Sequence, residues 1–220
     1  PQERAAYLLT HFWDSLNFAD TLHSRNSIFM EQNLISYFSL FPHVQAEARI
    51  MAVKSLMQRA EVDETAYRLL ARLAEKHLYT FGSPMQNEEY FIPFLEEIVG
   101  TSLLDETEKS RFRFLLSAAL KNRPGTMATD FTYLTPNGEL QTLYTVPATY
   151  RLLLLFYDPD CLHCREIITA LSTASCLQQQ IESGQLTVLA ICVGEDRDLW
   201  NCSLKDLPTQ WLTGFDMGCI

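Results

Sequence analysis

Two cysteines separated by two residues, Cys161 and Cys164, lie in the stretch Asp158-Pro159-Asp160-Cys161-Leu162-His163-Cys164-Arg165-Glu166. Such a pair can exchange disulfides, clamp a metal, or do nothing beyond filling a core. The flanking residues bear on the choice. An unbroken apolar run, Arg151-Leu-Leu-Leu-Leu-Phe-Tyr157, precedes the pair. A helical pattern follows, with Cys164, Ile167, Ile168, Leu171, Ala174 and Ile181 on one side and a stop at Ser183-Gly184. Cys161 is thereby expected at a strand-to-helix junction, facing unpaired backbone N–H groups and the positive end of the helix dipole. Both favour the thiolate, the nucleophile of disulfide exchange, and Cys-X-X-Cys positions have thiol pKa values lowered to roughly 3.5–7.5. The spacing makes Cys161 the exposed attacking thiol and Cys164, one turn further in, the resolving thiol. His163, protonated or donating N–H, would stabilise the Cys161 thiolate and make the disulfide more oxidising. Asp158 and Asp160 would act in the opposite sense, because negative charge opposes thiolate formation.

The other titratable residues supply no competing site. A tetrahedral zinc site needs two further ligands. His163 is too close in sequence to complete one with both cysteines, and Cys202 and Cys219 form no second close pair, so neither a metal nor a cofactor is expected. Cys176 and Cys192 read as small core residues, and no spacing rule supports a Cys202–Cys219 bridge. His11, His23, His43 and His77 are scattered over helical segments. The chain has no Ser-His-Asp order and no glycine loop that could cradle a phosphate. Two structural thiols, or a disulfide that never turns over, remain the bland alternative for Cys161 and Cys164.

The elements that must position this pair fall into two halves. As far as Asn122 the apolar period is helical. Ala5, Leu8, Leu9, Phe12, Trp13 and Leu16 share one face, and further helices are expected over Met30–Phe41, Val44–Ala60, after an Asp63 cap, after an Asn87 cap with Pro93 near its start, and after a capping-box-like Asp105/Glu108. Short loops between such helices predict a compact antiparallel bundle of five or six helices. The first 122 residues hold only Gly82 and Gly100, and glycine becomes commoner from Arg123-Pro124-Gly125 onward. The expected domains are therefore 1–122, helical, and 123–220, α/β. In the second, Phe131, Tyr133 and Leu140 flank Asn137-Gly138, a hairpin signal. The run before Cys161 reads as a strand buried on both faces, and Gln185–Val193 as another. Strand, helix and strand in that order form a βαβ unit with a parallel pair.

Composition narrows the partners. A net charge of −10 argues against nucleic acid, which needs a dense Lys/Arg surface, and gives no attraction to anionic lipid. No apolar run reaches the roughly 18 residues of a spanning helix. The chain opens Pro-Gln-Glu-Arg, without methionine or an apolar leader, and is expected to be a processed or trimmed form from which any export signal peptide has gone. All six cysteines lie from Cys161 onward, which suits local thiol chemistry better than a stapled fold.

From Thr126 to Val193 the chain resembles a thioredoxin-like domain of the envelope type related to cytochrome-maturation thiol–disulfide oxidoreductases. "ATDFTYLTPNGELQTL", "LLLLFY", the Cys161–Cys164 pair and "LTVLAICV" occur in that family's order. The helical half, with "RAAYLLTHFWDSLNFAD", resembles an uncharacterised domain found before such modules in Gram-negative envelope proteins. The resemblance implies a helical bundle followed by a thioredoxin-like α/β domain in the cell envelope or periplasm. It also implies protein thiols or disulfides as substrates and an envelope redox partner. Three departures stand out. Asp160 replaces the aromatic residue that often precedes the first cysteine. Leu155 stands where thioredoxins carry a buried acid. Leu207-Pro208-Thr209 imitates the cis-proline signature, but "QWLTGFD" after it does not read as a buried strand, so the chain is expected to end before the cis-proline strand, with Pro208 trans. The expected function is thiol–disulfide exchange on protein disulfides. The alternative is a non-catalytic envelope binding or scaffold protein with a vestigial thioredoxin-like domain.

Overall fold

The computed structural model describes residues 2–147 and 150–218. The chain divides into two compact units, Pro1–Ala128 and Thr129–Ile220.

Helices account for the regular structure of the first unit: α1 (Gln2–His11), α2 (Thr21–Ser24), α3 (Ser27–Phe38), α4 (Ala46–Ala60), α5 (Glu64–Leu78), α6 (Glu88–Gly100) and α7 (Glu106–Ala119), with a 3-10 turn at Phe41–His43. The caps form as their residue types dictate. Asp63 accepts the Ala66 N–H at 2.8 Å, Asn87 accepts that of Tyr90 at 3.2 Å, and Asp105 with Glu108 closes a reciprocal capping box. Pro93 lies inside α6, deeper than the first turn, where it cannot bond the Glu89 carbonyl; it is buried. One apolar cluster built from all the longer helices fills the unit, centred on Tyr37, Phe38, Phe41, Tyr67, Phe91 and Phe94. The short α2 escapes the periodicity because four residues make a single turn.

The second unit is a mixed five-stranded sheet with helices: β1 (Thr132–Leu134), β2 (Leu140–Thr142), β3 (Arg151–Tyr157), α8 (Leu162–Thr173), α9 (Ser175–Glu182), β4 (Leu186–Cys192), α10 (Arg197–Ser203) and β5 (Leu212–Asp216). The order is β2-β1-β5-β4-β3. β3, β4 and β5 run parallel, with Tyr157 opposite Cys192 and Cys192 opposite Phe215, and β1 is antiparallel to both β5 and β2. The Asn137-Gly138 hairpin forms, with Gly138 at φ 83°. β4 alternates between two cores. Val188, Ala190 and Cys192 face the cluster that holds Ile168, Trp200 and Trp211; Leu189 and Ile191 face a smaller one around Tyr133.

Three features differ from the sequence reading. First, the expected single helix from Cys164 to Ile181 breaks at Ala174, whose extended backbone (ψ 108°) ends α8 and starts α9. Thr169, Ser172 and Thr173 donate their hydroxyls to carbonyls one turn back, and Gln178 Nε2 bonds the Ser172 carbonyl at 2.8 Å. Such side-chain bonds compete with the helical ladder. Second, β3 is an edge strand of the described sheet and mostly half-buried, not enclosed. Leu153 and Leu155 pack on one face and Leu152 and Leu154 on the other. The run is therefore apolar on both faces, and nothing in such a run shows whether a strand has one lateral neighbour or two. Third, the segment after Pro208 does form a strand, β5, between β4 and β1. Its signal is weak because Gly214 lies under the Tyr133 ring. A Cβ there would stand 2.3 Å from Tyr133 Cδ2 and 2.7 Å from Ile191 Cδ1, so neighbours supply the apolar group that the strand lacks. All described peptide bonds, Leu207–Pro208 included, are trans.

Candidate redox site

Beyond the carboxyl ends of β3 and β4, in the usual place for a site on a parallel sheet, the chain turns through Asp158-Pro159-Asp160 into α8. Three hydrogen bonds shape the turn. Asp158 Oδ1 accepts the Asp160 N–H at 2.9 Å, the Asp158 carbonyl accepts the Cys161 N–H at 3.1 Å, and Arg165 Nε donates to the Pro159 carbonyl at 3.0 Å. Cys161 is thereby held in extended backbone (φ −80°, ψ 112°) as the N-cap of α8, and its Sγ accepts the Cys164 N–H at 3.3 Å. An N-cap accepts hydrogen bonds from the first turn, a task usually given to Ser, Thr, Asp or Asn. Sulfur does it well only as thiolate.

The two thiols are driven apart. The Cys161 pKa is lowered, first by the Cys164 thiol as donor, then by the N–H groups of Cys164 and His163; slight burial and the Asp158 charge oppose this. For Cys164 the largest single influence is the Asp158 N–H, which favours its thiolate. The Cys161 sulfur, burial and the charges of Cys161 and Asp158 together outweigh it, and the Cys164 pKa is raised. Both residues are half-buried, and only Cys164 packs against the apolar core. A low-pKa thiol beside a high-pKa thiol, one helical turn apart, can attack a disulfide and then resolve the mixed disulfide.

Around the pair, His163 is exposed, with Nδ1 3.5 Å from Glu166 Oε2, and reaches Cys161 through its backbone N–H. Asp160 is exposed. Asp158 is half-buried over Gly194, where a Cβ would come 3.3 Å from its Oδ1. Its charge opposes the thiolates of Cys161, Cys164 and Cys192. Three contributors have no signal in residue type alone. Arg165 ties α8 to the turn, Gly194 makes room for Asp158, and Cys192 is fully buried beside Tyr157, its pKa pushed up by burial. Gly194 could have been found from its place just after an apolar strand. Cys176 and Cys202 are exposed free thiols, and Cys219 lies outside the described residues. Among the described residues no group of three or more His, Cys, Asp or Glu side chains is arranged to hold a metal ion, and no helix is long and apolar enough to cross a membrane.

Residues 1–122 match the family described as "Domain of unknown function (DUF5106)". A thioredoxin-like protein from Bacteroides caccae superposes with a TM-score of 0.89 at 37% identity, over 99% of this chain and 78% of that one. A conserved protein of unknown function from Bacteroides fragilis aligns at 34% identity over 43% of this chain and 69% of its own, with a TM-score of 0.40. The thioredoxin domain of a thiol-disulfide oxidoreductase from Bacteroides vulgatus aligns at 17% identity over 43% of this chain and 64% of its own, with a TM-score of 0.35. No curated protein matches the chain.

Proposed function

For a chain that belongs to the DUF5106 family and folds as helices followed by a thioredoxin-like domain, we propose thiol–disulfide exchange on protein disulfides through Cys161 and Cys164. The observation that carries the reading is the Cys161 sulfur at the N-cap of α8, accepting the N–H of the residue that would resolve it. The Cys161 thiolate attacks one sulfur of a substrate disulfide. A Cys161–substrate bond forms and one substrate thiolate leaves. Cys164 gives up its proton and attacks the Cys161 sulfur, releasing the second substrate thiolate. The substrate gains two electrons, and the protein is left with a Cys161–Cys164 disulfide. Run backwards, the same steps oxidise a substrate dithiol. An oxidising compartment, the cell envelope or periplasm, and a redox partner that resets the pair belong to the proposal; the sequence resemblance supports both.

Cys164→Ser removes the resolving thiol and leaves the cap intact. Expressed in the native host, this variant should accumulate covalent mixed disulfides that disappear on reduction and in the Cys161→Ser/Cys164→Ser double variant. No adduct through Cys161 would leave the scaffold reading in its place.

A further inference from the structure

The carboxyl end of β3 borders a cavity of about 220 Å³ within the same unit, whose wall includes Tyr157, Arg165, Ile168, Thr169, Asp206 and Leu207. Asp158 and Pro159, which also line it, lead through Asp160 into Cys161, and Arg165 follows Cys164, so one wall serves both the cavity and the thiol pair. The cavity is smaller than the roughly 300–1,000 Å³ that holds a cofactor or drug-sized ligand, and has room for one large side chain. Its floor is apolar, from Ile168, Leu207 and the Tyr157 ring. Tyr157 is 3% exposed, and its hydroxyl makes no hydrogen bond of normal geometry although it faces Ser203 and Trp200. That hydroxyl has no surface open to the cavity, so Tyr157 presents only its ring to an occupant. Arg165 spends only Nε on the Pro159 carbonyl and pairs with no carboxylate among the described residues. Its other N–H groups would be available to a main-chain carbonyl of a bound segment. Asp158 and Asp206 make the rim unfavourable to an acidic side chain.

We propose that this cavity is a substrate subsite: it receives a bulky, non-acidic side chain, aliphatic or aromatic, from the residue next to the cysteine that Cys161 attacks. The proposal rests on the exchange reading above and names the substrates that the site prefers, protein disulfides with a large apolar neighbour in an extended segment. Apolar contact with Ile168 and Leu207 would favour such a residue over glycine, and pocket contacts of one or two methylene groups are worth about tenfold or more in rate.

The test uses the reduced chain and measures second-order rates with short peptide disulfides in which the cysteine is flanked by Phe, Leu, Gly or Asp, and with hydroxyethyl disulfide, which has no flanking residue. Thr169 is exposed on α8 at the cavity wall, so Thr169→Phe should plug the mouth without disturbing the core. Ile167→Phe, on the same helix but outside the cavity, is the control. The expected result is that Phe and Leu peptides react about tenfold faster than Gly, with Asp slowest. Thr169→Phe should erase this order and leave the hydroxyethyl disulfide rate unchanged, and Ile167→Phe should keep the order. Equal rates for Phe and Gly peptides, or an order that survives Thr169→Phe, would overturn the subsite while leaving the exchange chemistry intact. A chain that reacts with none of the disulfides, hydroxyethyl disulfide included, would overturn both readings.

Discussion

At the scale of the residue, Cys161 caps α8, and in the proposed reaction the same sulfur attacks a disulfide. Both are served by negative charge on sulfur, which is why the Cys164 thiol, and after it the N–H groups of Cys164 and His163, lower its pKa. The tasks separate on mutation. Cys161→Ser keeps an acceptor at the cap and should leave stability nearly unchanged. Cys161→Ala removes the acceptor and should lower the midpoint of chemical denaturation relative to Cys161→Ser. The charges also predict a pH dependence. Cys161 should alkylate with a midpoint below that of an ordinary thiol, and Cys164, whose pKa is raised, above it. Asp158 holds both sulfurs up, so Asp158→Asn should move both midpoints to lower pH. Asp160 is exposed, so solvent screens its charge more and Asp160→Asn should move them less. Iodoacetamide rates followed by peptide mass spectrometry read the two cysteines separately. A Cys161 midpoint that stays put in Asp158→Asn would remove the carboxylate from the account.

Among the elements, those with strong local signals were legible in the sequence. Asp63, Asn87 and Asp105 announced three helices, Asn137-Gly138 a hairpin, and the apolar runs ending at Tyr157 and Val193 two strands of the sheet. The Cys161 junction was readable for the same reason, since a strand run and a helical pattern meet there. What stayed hidden depends on partners distant in sequence. The hydroxyls around Ala174 break a helix that hydrophobic periodicity alone continues, and the edge position of β3 is a property of pairing, not of composition. β5 was hidden because Gly214 has no side chain to declare a strand, its place being taken by Tyr133. That packing makes a prediction. Gly214→Ala puts a methyl group into the Tyr133 ring and the Ile191 side chain, an overpacking that should cost about 1–3 kcal/mol. Gly100→Ala, with nothing within 4 Å, should be neutral or slightly stabilising. Fluorescence of Trp200 and Trp211 during denaturation follows the second unit, and an unchanged midpoint for Gly214→Ala would show that β5 does not pack as described.

On the scale of the whole molecule, the cysteines and the helical unit are separate in sequence. The helices enclose an aromatic core of their own and hold no cysteine, while all six cysteines lie from Cys161 onward. Residues 1–128 expressed alone should therefore unfold cooperatively, with a helical far-UV spectrum and no reaction with disulfides. A non-cooperative transition would count against a self-sufficient unit. The central claim concerns the other unit, that Cys161 and Cys164 act as one two-electron couple. Equilibrating the chain across a series of glutathione redox ratios and weighing the peptide that spans both cysteines tests it most directly. The account predicts one cooperative transition in which that peptide loses two hydrogens as the Cys161–Cys164 disulfide forms, absent in Cys161→Ser. Cysteines that become glutathionylated independently at every ratio, with no disulfide between them, would contradict it.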